Sequence, residues 1–235
     1  VIVKPTICVE YHTHEYAATT NPDVVAALVE LCLAAGARQV RVMDHPFGGS
    51  AERAYAQSGI AEAVKAAGGK MEVMNPAKYH EVEIPEGRDL RTVKAYQEVL
   101  AADVLIDVPV AKHHNLARLT LAGKNLLGVV QHPSALHANL GQRIADLVSL
   151  VRPTLTVVDA VRILRDHGPT GGNLEDVQLT NTVIASHDLV AADAYAATLF
   201  GLQGADVAYV HAAADMGLGT LDLGAIDLEE IAVQG

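Results

Sequence analysis

Residues 109–137 contain the side chains best suited to chemistry in this sequence. They include two lysines, four histidines and two asparagines: Lys112, His113, His114, Asn115, Lys124, Asn125, His132 and His137. Imidazole groups bind transition metals and carry protons, whereas lysine amines bind anions and become nucleophiles when they are removed from water. This set of side chains predicts a site for a small anionic molecule, with metal binding or proton transfer beside it.

The element that positions this segment is an apolar run at residues 104–108, which has the pattern of a buried strand. In an open α/β sheet, ligands bind beyond the C-terminal ends of the strands. Other predicted strand ends release residues 4–20, 44–50, 159–172 and 186–188. Together with residues 109–137, these segments contain nine of the eleven histidines: His12, His14, His45, His113, His114, His132, His137, His167 and His187. We therefore expect a catalytic or metal-binding edge of the sheet.

Patterns typical of strands and helices alternate along almost the whole chain, which indicates right-handed βαβ units. We predict a single α/β domain over residues 1–235, with a mostly parallel sheet flanked by helices in Rossmann-like layers. Residues 70–84 alternate in polarity and are a candidate for a small insertion at the sheet edge. We also expect a helix at 90–101 and a closing strand at 229–233.

The overall composition narrows the set of partners. A net charge of −11 argues against nucleic acid, and no apolar run approaches the ~20 residues that span a bilayer. With only Cys8 and Cys32, the chain has too few cysteines for a disulfide framework or to ligate an iron–sulfur cluster alone. The sequence has no signal-peptide pattern, which slightly favours a cytoplasmic location. A leader that was removed is the open alternative. A homo-oligomer and a separate redox partner also stay open.

Three side chains are candidates for catalysis: Lys124, Lys112 and His114. Lys124 lies in a mostly apolar stretch, where a buried amine costs several kcal/mol unless it is paired or deprotonated; the alternative is a surface lysine. At most one of His113 and His114 should face the site, because adjacent side chains of an extended chain point to opposite faces. Candidate cofactor-binding residues are Lys4, Asn125, Gly171, Gly172 and Ser186. The glycines are more simply explained by a turn, and the serine by a helix cap.

Candidate metal ligands are His12, His14, His132, His137, Asp44 and Asp159. Imidazole favours zinc, nickel or iron over magnesium and calcium, so we expect a divalent transition metal, whose binding weakens below roughly pH 6.5. Each candidate has a structural alternative, either as a surface or loop histidine or as a carboxylate that caps a helix. We expect two or three histidines to converge, and the loop with His12 and His14 to meet the lysine–histidine segment.

In their order along the chain, these segments resemble the family catalogued as domain of unknown function 362. The matching motifs lie at residues 4–6, 20–22, 109–114, 122–128, 153–159, 168–172 and 186–193. The motif with Lys124 and Asn125 and the one that begins at Ser186 are the most specific. The resemblance covers nearly the whole chain and implies the same α/β fold.

Thr6, Val110 and His113 depart from the family motifs, which have asparagine, lysine and threonine at these places. Many family members also carry a ferredoxin-like module with two cubane clusters. This chain has none, so an electron-transfer role does not carry over simply. A more distant likeness is to the N-terminal domain of nickel-pincer lactate racemases, in which a lysine holds the cofactor. That likeness implies Lys124, with His132 or His137, as the nearest counterparts.

Two functional hypotheses follow from these residues. The first is a metal- or cofactor-dependent enzyme that acts on a small anionic organic molecule by redox or proton-transfer chemistry. The alternative is a non-catalytic carrier or assembly factor for a metal or cofactor, and a purely structural protein is a third hypothesis. An enzyme should enclose an apolar pocket beside its ligands, whereas a carrier should have an open site and an exposed apolar patch.

Overall fold

Two β-sheets organise the chain, and the computed structural model describes residues 1–233 of it. Within that range the strands are β1 (Ile2–Pro5), β2 (Arg41–Val42), β3 (Lys70–Met71), β4 (Tyr79–Glu83), β5 (Thr92–Tyr96), β6 (Leu105–Val108), β7 (Val110–His114), β8 (Arg118–Thr120), β9 (Leu155–Leu164) and β10 (Val177–Ser186). Eight strands form a sheet in the order β3-β2-β1-β6-β9-β7-β8, with β10 paired to β9. Strands β4 and β5 form a small antiparallel sheet.

Helices flank the larger sheet. Over the same described range the α-helices are α1 (Pro22–Ala34), α2 (Ala51–Gln57), α3 (Ile60–Ala66), α4 (Gln97–Leu100), α5 (Ala122–Asn125), α6 (Leu140–Val151), α7 (Leu189–Thr198) and α8 (Ala208–Asp215). The α/β fold with a mostly parallel sheet between helices confirms the fold class predicted from the sequence. No helix in residues 1–233 is both long enough and apolar enough to cross a membrane.

The parallel strands define the edge at which a site can form. Strand β1 pairs in parallel with β2 and β6, and β9 pairs in parallel with β6 and β7. Segments that follow β1, β2 and β6 therefore leave the sheet at the same edge. The register of β1 and β6 sets Lys4 opposite Asp107, next to that edge. Strands β8 and β10 run antiparallel to their neighbours.

Ile2 and Val3 show why the sheet is buried on both faces. Adjacent side chains of a strand point to opposite faces. Ile2 belongs to an apolar cluster that contains Ile144 of α6 and Val190 of α7, whereas Val3 packs in a second cluster with Val25 of α1. Burial of each such side chain stabilises the fold by about 1.5–3 kcal/mol. The near-continuous apolar character of these strands follows from this two-sided burial.

Side-chain caps mark the starts of two helices. The Asn21 side chain accepts a hydrogen bond from the backbone N–H of Asp23, and Pro22 occupies the first turn, where its missing N–H has no cost. The Ser50 hydroxyl accepts from the backbone N–H of Arg53 in the same way. These caps satisfy N–H groups that have no partner inside the helix.

The prediction of a helix at 90–101 was wrong for the first half of that range. Residues 92–96 form β5, which pairs with β4, and only Gln97–Leu100 is helical. In β5 the buried side chains are Val93, Ala95 and Tyr96, whereas Thr92 and Lys94 are exposed. This alternation over a β-branched and aromatic segment fits a strand better than a helix. The region 70–84 accordingly divides, with β3 at the edge of the main sheet and β4 in the small one.

The C-terminal part of the chain differs from expectation in two ways. Residues 229–233 are exposed and form no strand in the described part of the chain. Strand β9 is longer than predicted and continues past Asp159 to Leu164, and β10 returns antiparallel to it. Ser186 therefore pairs with Thr156 at the start of β9, and so lies at the opposite edge from the ends of the parallel strands.

Candidate functional site

A cavity of about 550 Å³ lies beyond the C-terminal ends of β1, β2 and β6. Residues after β1 and β2, side chains of β7 and β8, helix α5 and the segments 131–137 and 169–170 line it. Its charged and imidazole side chains are Asp44, His45, Lys112, His114, Lys124, His132 and His137. The cavity thus brings together the three residues predicted to be catalytic, two of the predicted histidine ligands, and Asp44.

Strand β7 sets which of its polar residues face the cavity. Lys112 and His114 are two positions apart, so they project from the same face of the strand, and both line the cavity. His113 projects from the other face, where its Nδ1 accepts a hydrogen bond of 3.1 Å from the backbone N–H of Gly168. A Cβ atom on Gly168 would overlap the His113 carbonyl oxygen, so only glycine permits this approach.

Lys112 is buried without a carboxylate partner in the described part of the chain. Its side chain is only 2% exposed, and its Nζ donates hydrogen bonds to the carbonyl oxygens of Ala18, at 2.7 Å, and Pro169, at 3.0 Å. Within residues 1–233 it forms no ion pair with a carboxylate. The two bonds join the loop after β1, at Ala18, and the loop after β9 to β7. The approach of His12 and His14 to the lysine–histidine segment stays a prediction.

Lys124 is held in the cavity by helix α5. The carboxylate of Asp193, on α7, accepts hydrogen bonds from the backbone N–H groups of Ala122, at 2.7 Å, and Gly123, at 2.9 Å, and thereby fixes the first turn of α5. Burial, and secondly the charge of Lys112, lower the pKa of Lys124 to about 8. The Lys124 amine is therefore closer to neutrality than an ordinary lysine.

His114 has a defined tautomer. Its Nδ1 accepts hydrogen bonds from the backbone N–H groups of Leu116, at 3.1 Å, and Ala117, at 3.2 Å. The neutral ring consequently carries its proton on Nε2. Burial, followed by the charges of Lys124 and Lys112, lowers the pKa of His114 to about 3. The ring is therefore a neutral hydrogen-bond donor at physiological pH.

A network of buried polar side chains adjoins the cavity. Lys4 Nζ lies 2.7 Å from Asp44 Oδ1 and donates to Asn125 Oδ1 at 3.0 Å. The Thr6 hydroxyl donates to the same Asn125 oxygen at 2.8 Å, and Asn125 Nδ2 donates to Asp107 Oδ1 at 2.8 Å. Burial raises the pKa of Asp107 well above its usual range. Lys4 and Asn125, predicted to bind a cofactor, make these contacts within the protein, and Asn125 also lines the cavity.

Close packing explains why residue 128 is a glycine. A Cβ atom there would overlap Asp44 Oδ1 and would lie 2.8 Å from Lys4 Nζ. The backbone therefore passes directly over the Lys4–Asp44 ion pair. In this motif, Lys124 lines the cavity and Asn125 belongs to the buried polar network. Gly128 allows the backbone to pass close to the ion pair.

The predicted metal ligands lie in different places: Asp44, His132 and His137 line the cavity, whereas His12, His14 and Asp159 do not. Among residues 1–233, no three His, Cys, Asp or Glu side chains are arranged to hold a metal ion. His12 stacks on Tyr16 with ring centroids 4.3 Å apart, and His14 begins a short 3-10 turn, so neither lines the cavity. His132 and His137 are exposed at the cavity. The side chains present thus do not by themselves fit a resident metal ion.

Asp159 and Ser186 are occupied by backbone contacts. The Asp159 carboxylate accepts hydrogen bonds from the N–H groups of Asn21, at 2.7 Å, and Val161, at 3.0 Å. It therefore fastens the start of α1 to β9. The Ser186 hydroxyl accepts from the N–H of Asp188 at 3.0 Å, just before α7. Neither residue lines the cavity.

The glycine loop lies beside the cavity rather than in it. Pro169 and Thr170 line the cavity, whereas Gly171 and Gly172 do not. Both glycines have positive φ, +67° and +142°, which fits the turn that was their structural alternative.

Three buried side chains of this region were missed at the sequence level. Cys8 lines the cavity, and its Sγ donates to the Pro169 carbonyl at 3.5 Å. Asp107 and Asp193 are both fully buried and hold Asn125 and α5. A carboxylate inside an apolar strand or an alanine-rich helix was the available signal for both aspartates, because burial of such a group requires partners.

The fold and the cavity define an α/β protein with a lysine- and histidine-lined cavity at the C-terminal edge of a mostly parallel sheet. The chain belongs to the family described as domain of unknown function (DUF362), which matches residues 1–198. It is 26% identical over 216 residues to the thylakoid-associated protein sll1697 of Synechocystis sp.. That match covers 85% of this chain and 62% of the relative, so the chain spans less than two thirds of the relative's length.

Two solved structures are similar at low sequence identity. The lactate racemase apoprotein from Thermoanaerobacterium thermosaccharolyticum is 12% identical, with a TM-score of 0.46, and the match covers 79% of this chain and 45% of that chain. A protein from Thermotoga maritima is also 12% identical, with a TM-score of 0.41 and coverage of 85% and 54%.

Proposed function

We propose that the protein is an enzyme that binds a small organic anion in the cavity and transfers a proton to or from it. The observation that carries this proposal is the placement of Lys112, Lys124 and a neutral His114 in one cavity. The three side chains supply a fixed positive charge, a proton carrier and a hydrogen-bond donor. These are the parts that proton transfer beside a carboxylate or carbonyl group requires.

Lys112 is the anchor for the anion. Its ammonium is oriented by the carbonyl oxygens of Ala18 and Pro169, so two of its three protons are engaged. The third proton remains for a ligand. Because the side chain is buried, its charge is poorly screened by solvent and attracts an anion strongly.

Lys124 is the proton carrier. A catalytic acid or base works best when its pKa is close to the operating pH, and the pKa of Lys124 is lowered to about 8. Its amine form accepts a proton from the bound anion, and its ammonium form returns one. Such acid–base catalysis contributes roughly 10²–10⁴-fold to a rate.

His114 assists as a donor and does not itself titrate. Its Nδ1 is held by two backbone N–H groups, so Nε2–H is the group available to a substrate oxygen. A pKa of about 3 keeps the ring neutral throughout the physiological range. A neutral donor stabilises negative charge that develops on that oxygen while Lys124 moves the proton.

The metal- or cofactor-dependent form of this hypothesis requires further donor atoms. No three suitable side chains within residues 1–233 converge, so a metal ion would take part of its ligands from a bound molecule. A cavity of about 550 Å³ leaves room for a substrate and a second group together. No step above depends on that group.

A non-catalytic carrier is the second candidate, and one observation favours it. Phe47 and Leu116 line the cavity and yet are 74% and 65% exposed. Large exposed apolar side chains beside a binding site are typical of surfaces that contact a partner. A carrier would bind the same anion but would leave its protons unexchanged.

Proton exchange distinguishes the two candidates. We would incubate the protein with small carboxylates and 2-oxo acids in deuterated buffer, and follow loss of the carbon-bound proton next to the carboxylate or carbonyl by NMR. Exchange above background that disappears in Lys124→Met and persists in Lys65→Met, an exposed lysine on α3, is the expected result. Binding without exchange for every compound would favour the carrier.

A further inference from the structure

We infer that the ligand of the cavity is a small dianion, a molecule with two separate carboxylate groups. This inference rests on the proposed function and narrows its substrate class. It follows from the charges that line the cavity and from their partners within the protein.

Two lysine ammonium groups in the cavity lack a counter-charge. Neither Lys112 nor Lys124 forms an ion pair with any carboxylate of residues 1–233. The acceptors of Lys112 are uncharged carbonyl oxygens. A buried charge without a partner is strongly unfavourable, so a site that keeps such a charge is built for a ligand that neutralises it.

The two lysines also act on each other. The charge of Lys112 is the second-largest cause, after burial, of the lowered pKa of Lys124. Two like charges in one cavity repel each other, and each anionic group that enters relieves part of that repulsion.

The carboxylate at the cavity does not supply the missing charge. Asp44 lies 2.7 Å from Lys4 Nζ, so these two charges neutralise each other. The other side chains with titratable groups at the cavity are imidazoles and the thiol of Cys8, and none of them is a carboxylate. The lining therefore keeps two unmatched positive charges when both lysines are protonated, and a molecule with two carboxylates matches them.

Calorimetric titration of the full chain with matched acids tests this inference. The probes are malonate and succinate, with acetate and propionate as the monoanions. We expect at least one dicarboxylate to bind more than about tenfold more tightly than either monocarboxylate at equal ionic strength. In Lys112→Met and in Lys124→Met, we expect that preference to fall below about threefold. Lys65→Met should keep it, and circular dichroism would establish that each variant is folded.

A second measurement does not depend on the Lys112 variant. A bound second charge raises the pKa of Lys124, so binding of a dicarboxylate at about pH 8 should take up a proton. Titrations in two buffers of different ionisation enthalpy measure that uptake, which should vanish in Lys124→Met.

The failures of the two proposals are distinguishable. Equal affinity for monocarboxylates and dicarboxylates, without proton uptake, would overturn the dianion while leaving an anion-binding enzyme in place. If none of the four acids bound, the anion-binding function itself would fail.

Discussion

At the scale of single residues, the cavity shows how strongly burial changes ordinary side chains. Lys124 and His114 are common residue types whose pKa values fall to about 8 and about 3 because water is largely replaced by protein around them. Lys4 is buried as well, but Asp44 and Asn125 surround its ammonium with acceptors. The chemical role of each lysine thus depends on its partners rather than on its type.

One prediction at this scale concerns stability. In the unfolded chain Lys124 has its ordinary pKa of 10.5, whereas the folded value is about 8. Between these values the unfolded state binds more protons, so the free energy of unfolding rises with pH in that window. Below about pH 8 the full penalty is present. Lys124→Met should therefore stabilise the protein by about 1–3 kcal/mol at neutral pH.

Urea denaturation at about pH 7 and about pH 10 measures this effect, which should be smaller at the higher pH. The matched control is Lys65→Met, which should change stability by less than about 0.5 kcal/mol. A destabilised Lys124→Met at neutral pH would show that the amine is satisfied in the folded protein.

At the scale of elements, short segments are placed by contacts from distant ones. Helix α5 is only four residues long, and Asp193 on α7 fixes its first turn. Strand β7 is tied to the loops after β1 and β9 through Lys112. Because such short elements have little intrinsic stability, these hydrogen bonds determine where the cavity side chains point.

Gly128→Ala is the prediction at this scale. The added methyl group would overlap Asp44 Oδ1 and crowd Lys4 Nζ, both of which are buried. We expect a loss of about 1–3 kcal/mol in the free energy of unfolding, together with weaker anion binding. Gly48→Ala is the control, because its nearest neighbour would be Val9 at an ordinary 3.9 Å. Thermal unfolding of both variants gives the comparison, and equal stability would mean that the backbone moves without cost.

At the scale of the whole molecule, an acidic chain surrounds a basic cavity. The net charge is −11, yet among residues 1–233 the cavity holds two lysines and four histidines against Asp44 alone among the carboxylates. Four of the predicted edge histidines line this cavity, whereas His12 stacks on Tyr16 and His113 turns away from it.

The transition metal predicted from the sequence stays a prediction, and it belongs to this scale. His132 and His137 are the predicted histidine ligands that line the cavity, so zinc, nickel or iron bound there would depend on them. Titration of chelator-treated protein should then give saturable binding tighter than about 10 μM that weakens as pH falls through about 6.5. His132→Ala should weaken it, whereas His80→Ala, at an exposed position outside the cavity, should not. Absence of saturable binding for all three metals would leave an acid–base site.

Much of the candidate site was visible in the sequence because it depends on local patterns. The period-two alternation of β7 already separated His114 from His113, and the apolar flanks of Lys124 indicated that its amine is partly buried. The placement of Lys112, His114 and Lys124 after β6 followed from the βαβ alternation, whereas the pairing of residues 110–114 and 118–120 as β7 and β8 was not predicted. These features need only neighbours in the chain and a general rule about sheets.

The sequence did not indicate which distant segments pair with each other. The antiparallel return of β10 moved Ser186 to the far edge, and β5 replaced part of a predicted helix because β4 was available to pair with it. Likewise, only the folded chain shows that Lys4 is neutralised by Asp44 while Lys112 has no carboxylate partner in residues 1–233. The sequence by itself thus determined the fold class and the residue types at the edge, through local periodicity. The tertiary structure decided which charges are matched, because that depends on distances between residues far apart in the chain.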